Sequence, residues 1–247
     1  MMKAGFLSVA MCVAVAPHAQ AQMTWTDKAF VNVTFGAQTG KHTVSTSSTF
    51  DLYEEQGTVD SSQRVGGGGF FDMSGGYRVR KNLAAGIGYS WAGSKDDAAI
   101  NALVPHPDVT DQLRAVSATA PGMKHSEPAL HFFAAYMVPV TDKIDVGVSA
   151  GPSIFFVSQD LPTALSVSEP GPTVTQVTTE KSSKTSVGLN IGVDVAYMVT
   201  KLWGVGGLMR YTWGSVDLDN ATDSLTVGGF QIGVGARLRF QSVFGRK

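Results

Sequence analysis

The tripeptide His125-Ser126-Glu127 brings together an imidazole, a hydroxyl and a carboxylate, the groups that activate a nucleophile for hydrolysis. The spacing argues against that chemistry. Neighbouring residues in a strand point to opposite faces, so His125 and Ser126 could work as base and nucleophile only in a loop, and a polar strand start is expected instead. Asp217, Asp219 and Asp223, with Asn220, imitate a calcium loop, but the required glycine and closing bidentate Glu are missing at their spacing. A solvated loop is expected there. The Gly66 to Gly69 run has no Lys-Ser or Lys-Thr after it, which makes it a flexible strand entry and no phosphate cradle. His131 has no second His or Cys at ligand spacing, so it reads as a hydrogen-bonded interior histidine. No catalytic residue, metal ligand or cofactor is expected from these motifs.

The elements that would position such groups must be read from composition and periodicity. With 19 Lys+Arg against 20 Asp+Glu in 247 residues, the net charge of -1 gives no electrostatic reason to expect a nucleic-acid partner. Charged residues make up only 16% of the chain and hydrophobic ones 43%, with 28 glycines, a share well above the usual level of about 7%. Few charges with much glycine disfavours both disorder and helical bundles. The start of the chain has its own logic: Lys3, an apolar run from Ala4 to Ala16, and Ala19-Gln20-Ala21 with small residues at both key positions. This is a secretory signal pattern, too short to span a membrane as a helix, with cleavage expected after Ala21 and a mature domain over 22–247. Cys12, the single cysteine, falls inside that leader behind Met11, where lipidation would want a small residue. The mature chain would therefore carry no thiol.

Past the leader, period-two alternation dominates. Phe230, Ile232, Val234, Ala236, Leu238 and Phe240 share one face against Gln231, Gly233, Gly235, Arg237 and Arg239, and residues 186–199 alternate in the same way. Weaker copies run over Ala29 to Gln38, Gly68 to Val79, Leu83 to Ala92, Glu127 to Val138, Ile144 to Ser158 and Trp203 to Asp217. Eight strands suffice to close a barrel. Short and long connections alternate: Arg80 to Asn82, Pro139 to Lys143 and Thr200 to Leu202 are short, whereas Thr39 to Gly67, Gly93 to Ser126 and Gln159 to Lys184 are long, with a modest one over Leu218 to Asp223. The pattern predicts an all-β, antiparallel up-and-down barrel with tight turns at one end and long polar loops at the other. At the short-turn end Tyr77-Arg78-Val79, Tyr136-Met137-Val138 and Tyr197-Met198-Val199 each precede a turn containing Lys81, Lys143 or Lys201. Such a repeat suits a tyrosine belt at headgroup level, joined by Trp203, with Tyr89, Trp91, Tyr211 and Trp213 as the second belt.

Alternation alone does not say whether the apolar face meets lipid or a soluble interior, as in a lipocalin-like carrier. The other face decides. It is built mainly of Gly, Ala, Ser and Asn, as in Ala84, Gly86, Gly88 and Ser90 or Gly147, Ser149 and Gly151, which suits a cramped lumen better than a water-facing surface. In its strand pattern, its Gly-x-Gly runs after the short turns and its last strand Gly235-Ala236-Arg237-Leu238-Arg239-Phe240, nearly the whole mature chain resembles the small eight-stranded outer-membrane β-barrel proteins of Gram-negative bacteria, of the OmpA transmembrane domain, OmpX and OmpW type. Members end on a terminal aromatic, whereas Gln241 to Lys247 follow Phe240 here and Phe244 is a second candidate. The resemblance implies a transmembrane barrel in the outer membrane, short periplasmic turns, extracellular loops, insertion by the barrel-assembly machinery and outer-membrane lipid as surroundings. It implies a monomer that is not an enzyme and whose loops recognise a surface partner. Two alternatives follow from it: an OmpW-like carrier of small hydrophobic molecules, and a barrel enzyme that deacylates lipid A through His125, Ser126 and Glu127.

Parity places Asp72, Arg78, His131, Asp145, Asp194, Arg210 and Arg237 on the lumen face. Charges in a narrow lumen need partners. Asp194 and Arg210 lie eight residues on either side of position 202, so they are expected to pair across the hairpin and, with the others, to plug the lumen.

Overall fold

A computed structural model describes residues 24–40, 42–218 and 224–241. The leader, the acidic loop at Asp219 to Asp223, and Phe244 lie outside them. The described residues form eleven strands: β1 Ala29–Thr39, β2 His42–Leu52, β3 Glu55–Val65, β4 Gly68–Arg80, β5 Leu83–Pro105, β6 Leu113–Ser126, β7 Ala129–Pro139, β8 Ile144–Ser168, β9 Thr173–Met198, β10 Trp203–Val216 and β11 Leu225–Phe240. Eight close a ring, each antiparallel to its neighbours in the order β1, β4, β5, β7, β8, β9, β10, β11 and back to β1. Closure leaves the membrane-height strands without an open edge. Local chemistry fixes the tight turns: Thr141 Oγ1 accepts from the N–H of Lys143 and Ile144, and Thr200 Oγ1 repeats this with Leu202 and Trp203.

At the other end the segments expected to be polar loops are largely strand. β2 and β3 form a hairpin turned at Tyr53-Glu54, both with positive φ (55 and 63), and β3 pairs with the upper half of β5. β6 pairs along the same half of β5, while β8 and β9 run on together to Ser168↔Thr173. These extensions enclose an apolar core of their own, in which Phe50, Val59, Ile100, Val104, Met123 and Leu165 are buried. One face is thus dry and the other polar, and the many Thr, Ser and Asp residues of the polar face dilute the alternation in the sequence. The modest connection between β10 and β11 is the one long-end link that adds no strand among the described residues.

Below this cap the barrel wall is apolar outside and mixed inside. Phe35, Ile87, Phe132, Leu189, Ile191, Val195, Met209, Ile232 and Val234 are exposed on the outer face. All eight belt aromatics, Tyr77, Tyr136, Tyr197, Trp203, Tyr89, Trp91, Tyr211 and Trp213, are exposed on that face too.

Candidate functional site

Side chains enter the lumen in layers. In the middle, Arg210 Nη2 stands 2.8 Å from Asp72 Oδ2, and its Nε donates to Gln231 Oε1 at 2.7 Å while Phe70 lies under the guanidinium. Arg237 grips Asp194 with two bonds, Nε to Oδ1 at 3.0 Å and Nη2 to Oδ2 at 2.6 Å, and its Nη1 donates to Thr34 Oγ1. Arg239 faces Asp145 at 3.7 Å and Asp194 at 4.0 Å and donates to Asn32 Oδ1 at 2.9 Å. Three arginines thus balance three aspartates. His131, fully buried, lies between Ser90 and Ser153, 2.8 Å from each hydroxyl, with Asn190 donating to Ser153. Arg78 is half-buried near the short-turn mouth and donates to the Trp25 carbonyl.

The pairing differs from the expected one. Asp194 stands opposite Leu208, and Arg210 opposite Gly192, two residues out of the expected register. Both side chains keep the expected face because a shift of two preserves parity, but each finds a partner on another strand. Arg210 reaches Asp72 on β4, and Asp194 reaches Arg237 on β11.

A second polar layer lies higher. His125 Nε2 is 2.7 Å from Glu127 Oε1 and its Nδ1 is 2.7 Å from Gln159 Oε1, all three side chains being buried. Gln159 donates to Gln63, while Glu127 Oε2 accepts from Gln38 Nε2 and the Gly228 N–H. Gly228 has φ +93, a backbone state that suits glycine, and Gln231 Nε2 donating to Gln38 Oε1 links this layer to Arg210. Ser126 points the other way: its Oγ accepts from Trp91 Nε1 at 3.2 Å on the outer face. The imidazole and hydroxyl of the hydrolase-like tripeptide therefore sit on opposite sides of the wall. Buried apolar clusters stand at both ends, with Val44, Phe155, Leu161, Leu218 and Val227 above and Trp25, Phe30, Ala84, Ala135 and Met137 below.

At the tip of the cap, three hairpins meet. Arg114 donates to both oxygens of Glu169, at 2.6 and 2.8 Å, and to the Pro105 carbonyl, while Tyr53 Oη donates to Glu169 Oε1 at 3.2 Å. Glu55 accepts from the Asp111 N–H.

Residues 6–240 match the family model described as "Outer membrane protein beta-barrel domain". The chain belongs to this family. No curated protein matches it. Similar solved structures include Neisserial surface protein A, 17% identical, with 86% of this chain and 97% of that one covered at a TM-score of 0.43. OprG from Pseudomonas aeruginosa is 12% identical over 88% and 98%, TM-score 0.41, and the outer membrane protease OmpT from Escherichia coli is 12% identical over 88% and 98%, TM-score 0.45.

An outer-membrane barrel of this family has its short turns in the periplasm and its long hairpins outside the cell. The tight-turn end, where Tyr77, Tyr136, Tyr197 and Trp203 are exposed, is thus the periplasmic one, and the Arg114–Glu169 clasp is extracellular. Arg114 holds the Glu169 carboxyl below its ordinary range, first by its hydrogen bonds and then by its charge. A lowered folded-state pKa makes the clasp complete above the ordinary carboxylate value and loses it as pH falls through the folded value. Amide exchange at the three hairpin tips, corrected for intrinsic rates, is expected to quicken when pH drops well below about 4 and to lose that dependence in Glu169→Gln. Equal protection at neutral and acid pH would remove the clasp. Besides the seven residues expected there, the inner network holds Arg239 and Gln231, which alternation places on the same face as Arg237, and Asn32, Gln38, Gln63 and Gln159, which the sequence does not single out. Arg239 shares the parity of Arg237, which was signal enough; the glutamines meet only through contacts far apart in sequence.

Proposed function

We propose that this outer-membrane barrel is a non-enzymatic, monomeric surface protein with a plugged lumen, inserted by the barrel-assembly machinery, whose folded extracellular cap performs recognition. The observation that carries the reading is the cap itself. A passive channel gains nothing from long hairpins with a separate dry core and a clasp joining their tips, whereas a recognition surface gains affinity from being ordered before it binds. Residues 173–187 of β9 add a feature suited to that role, since the β9–β10 backbone ladder ends at Gly188↔Gly214 and above it the β9 backbone pairs only with β8 among the described residues. The separation of His125 from Ser126 argues against the lipid A hydrolase, and the filled middle layers argue against a ligand-carrying lumen.

Flow cytometry of the protein in nanodiscs against bacterial and epithelial cells tests the role of the cap. Binding is expected to fall when the β8–β9 hairpin is trimmed above Gln159 and Ser182, while the gel shift between unboiled and boiled samples persists. Planar-bilayer recordings test the plug: the full chain is expected to pass no porin-sized current, and a stable porin-sized conductance would overturn it.

A further inference from the structure

Trp25 is the one member of the lower apolar layer that does not stand on a barrel strand. It belongs to the short strap Thr24 to Lys28, which crosses the periplasmic mouth before β1 begins. Its indole is 2% exposed and meets Phe30 edge-on, with ring centroids 6.2 Å apart. Lys28 is held on both sides, its N–H donating to the Phe240 carbonyl and its carbonyl accepting from the Arg78 N–H, whereas further out the Trp25 N–H donates to Asn82 Oδ1 at 3.2 Å and Arg78 Nη1 donates to the Trp25 carbonyl at 2.6 Å.

Open space lies on both sides of this layer. Above it is a cavity of about 40 Å³, walled by Phe30 and Met137 from below and by Asn32, Asp72, Ser149 and Arg210 further up. That is room for roughly three water molecules. Asp72 is fully buried and neither of its oxygens accepts a well-aligned hydrogen bond, so the chamber favours small hydrogen-bond donors. Beneath the layer is a groove of about 510 Å³ at the mouth, lined by Trp25 itself with Asp27, Asp142, Lys143, Asp145 and Lys201. Phe30, Phe133, Ala135 and Met137 floor the chamber, and Trp25 packs beneath them as the outer layer of the partition that faces the groove.

We propose that Trp25 is a removable stopper: lifting the strap opens the Asp72–Arg210 chamber to water-sized, hydrogen-bonding solutes from the periplasm, while the extracellular end stays shut. Thr24 to Asp27 are the part that moves because every ring strand is held by a ladder on both sides, whereas among the described residues these four are held mainly by the clips at Trp25, and local opening selects the segment with the fewest bonds. Above the chamber, the glutamine and His125–Glu127 layer and the apolar layer over it keep the route one-ended.

A single thiol reports the gate. Cys12 is the sole cysteine, so Ser149→Cys in a Cys12→Ser background places one thiol on the chamber wall. In nanodiscs, its labelling by hydrogen peroxide, a small hydrogen-bonding oxidant that converts the thiol to its sulfenic and higher acids, read by mass spectrometry of the residue-149 peptide, is expected to be slow with Trp25 or Trp25→Phe present and roughly tenfold or more faster in Trp25→Gly, as befits a site reached only by opening. Asn82→Ala with Arg78→Ala, which cuts the clips and leaves the indole, should also speed labelling. A cysteine at exposed Thr175 should react equally in every variant, and the unboiled gel shift verifies folding. Labelling of Ser149→Cys at one rate with and without Trp25 overturns the stopper. If Trp25→Gly does not fold, an unchanged rate in the clip-cut variant overturns it instead.

Discussion

Replacing Arg210 with alanine is expected to cost the barrel about 3 to 5 kcal/mol, because it strands the fully buried Asp72 carboxylate without its counter-charge. The attraction between the two groups is not the source of this figure. Removing both charges from water costs several kcal/mol per ion, and the pair only offsets that cost, so deleting one partner exposes the full penalty of the other. The double variant Asp72→Leu with Arg210→Met should therefore regain most of the loss, since it removes both penalties and fills similar volume. Urea titration in lipid vesicles, followed by tryptophan fluorescence, measures each variant. The cycle Asp72→Ala with Arg210→Ala should show strong coupling, whereas Asp194→Ala with Arg210→Ala should be close to additive because Asp194 bonds to Arg237. A single-variant cost under about 1 kcal/mol would mean that the Asp72–Arg210 site is wet enough to solvate a lone charge.

The same pair shows how far a sequence can be read. Facing is a matter of parity, and parity survives a register shift of two, so the inward set emerged from alternation alone. Partnership is a matter of register around a closed ring. It depends on how many residues each turn consumes: four from Val199 to Leu202 between β9 and β10, which place Asp194 opposite Leu208. Across the ring it also depends on the stagger of the strands, which brings β4 to Arg210 and β11 to Asp194, and no local pattern encodes that. The extracellular hairpins carry a weak sequence signal for a different reason. Val44, Val59, Ile100 and Leu165 bury one face, but between them stand Ser, Thr, Asp and Gln residues chosen for water, and Thr and Ser side chains such as Thr46 and Ser61 are themselves buried and bonded to each other. A face that mixes small polar and apolar residues reads as loop.

The outward face yields the other large effect. Val234 is 72% exposed near the middle of β11, opposite Phe35 on one side and Gly207 on the other. With Trp203 and Tyr211 expected at the two headgroup levels, Gly207, four residues from each, puts Val234 near the bilayer midplane. A guanidinium there must leave water or drag water and headgroups inward, so Val234→Arg is expected to cost about 2 to 4 kcal/mol of folding stability in vesicles. Exposure alone would predict nothing of the kind, because a charge on a water-facing strand is usually tolerated within about 0.5 kcal/mol. Leu113 supplies the contrast. It is 48% exposed, but it stands at the outer tip of β6 beside the clasp, and Leu113→Arg should be nearly neutral. The difference between the two substitutions measures the solvent each face meets. It should also follow bilayer depth, shrinking toward zero for an arginine placed at Trp213, where a long side chain can reach the headgroups. If Val234→Arg folds as stably as the unaltered chain while Leu113→Arg does not, lipid does not contact the barrel face carrying Ile232 and Val234.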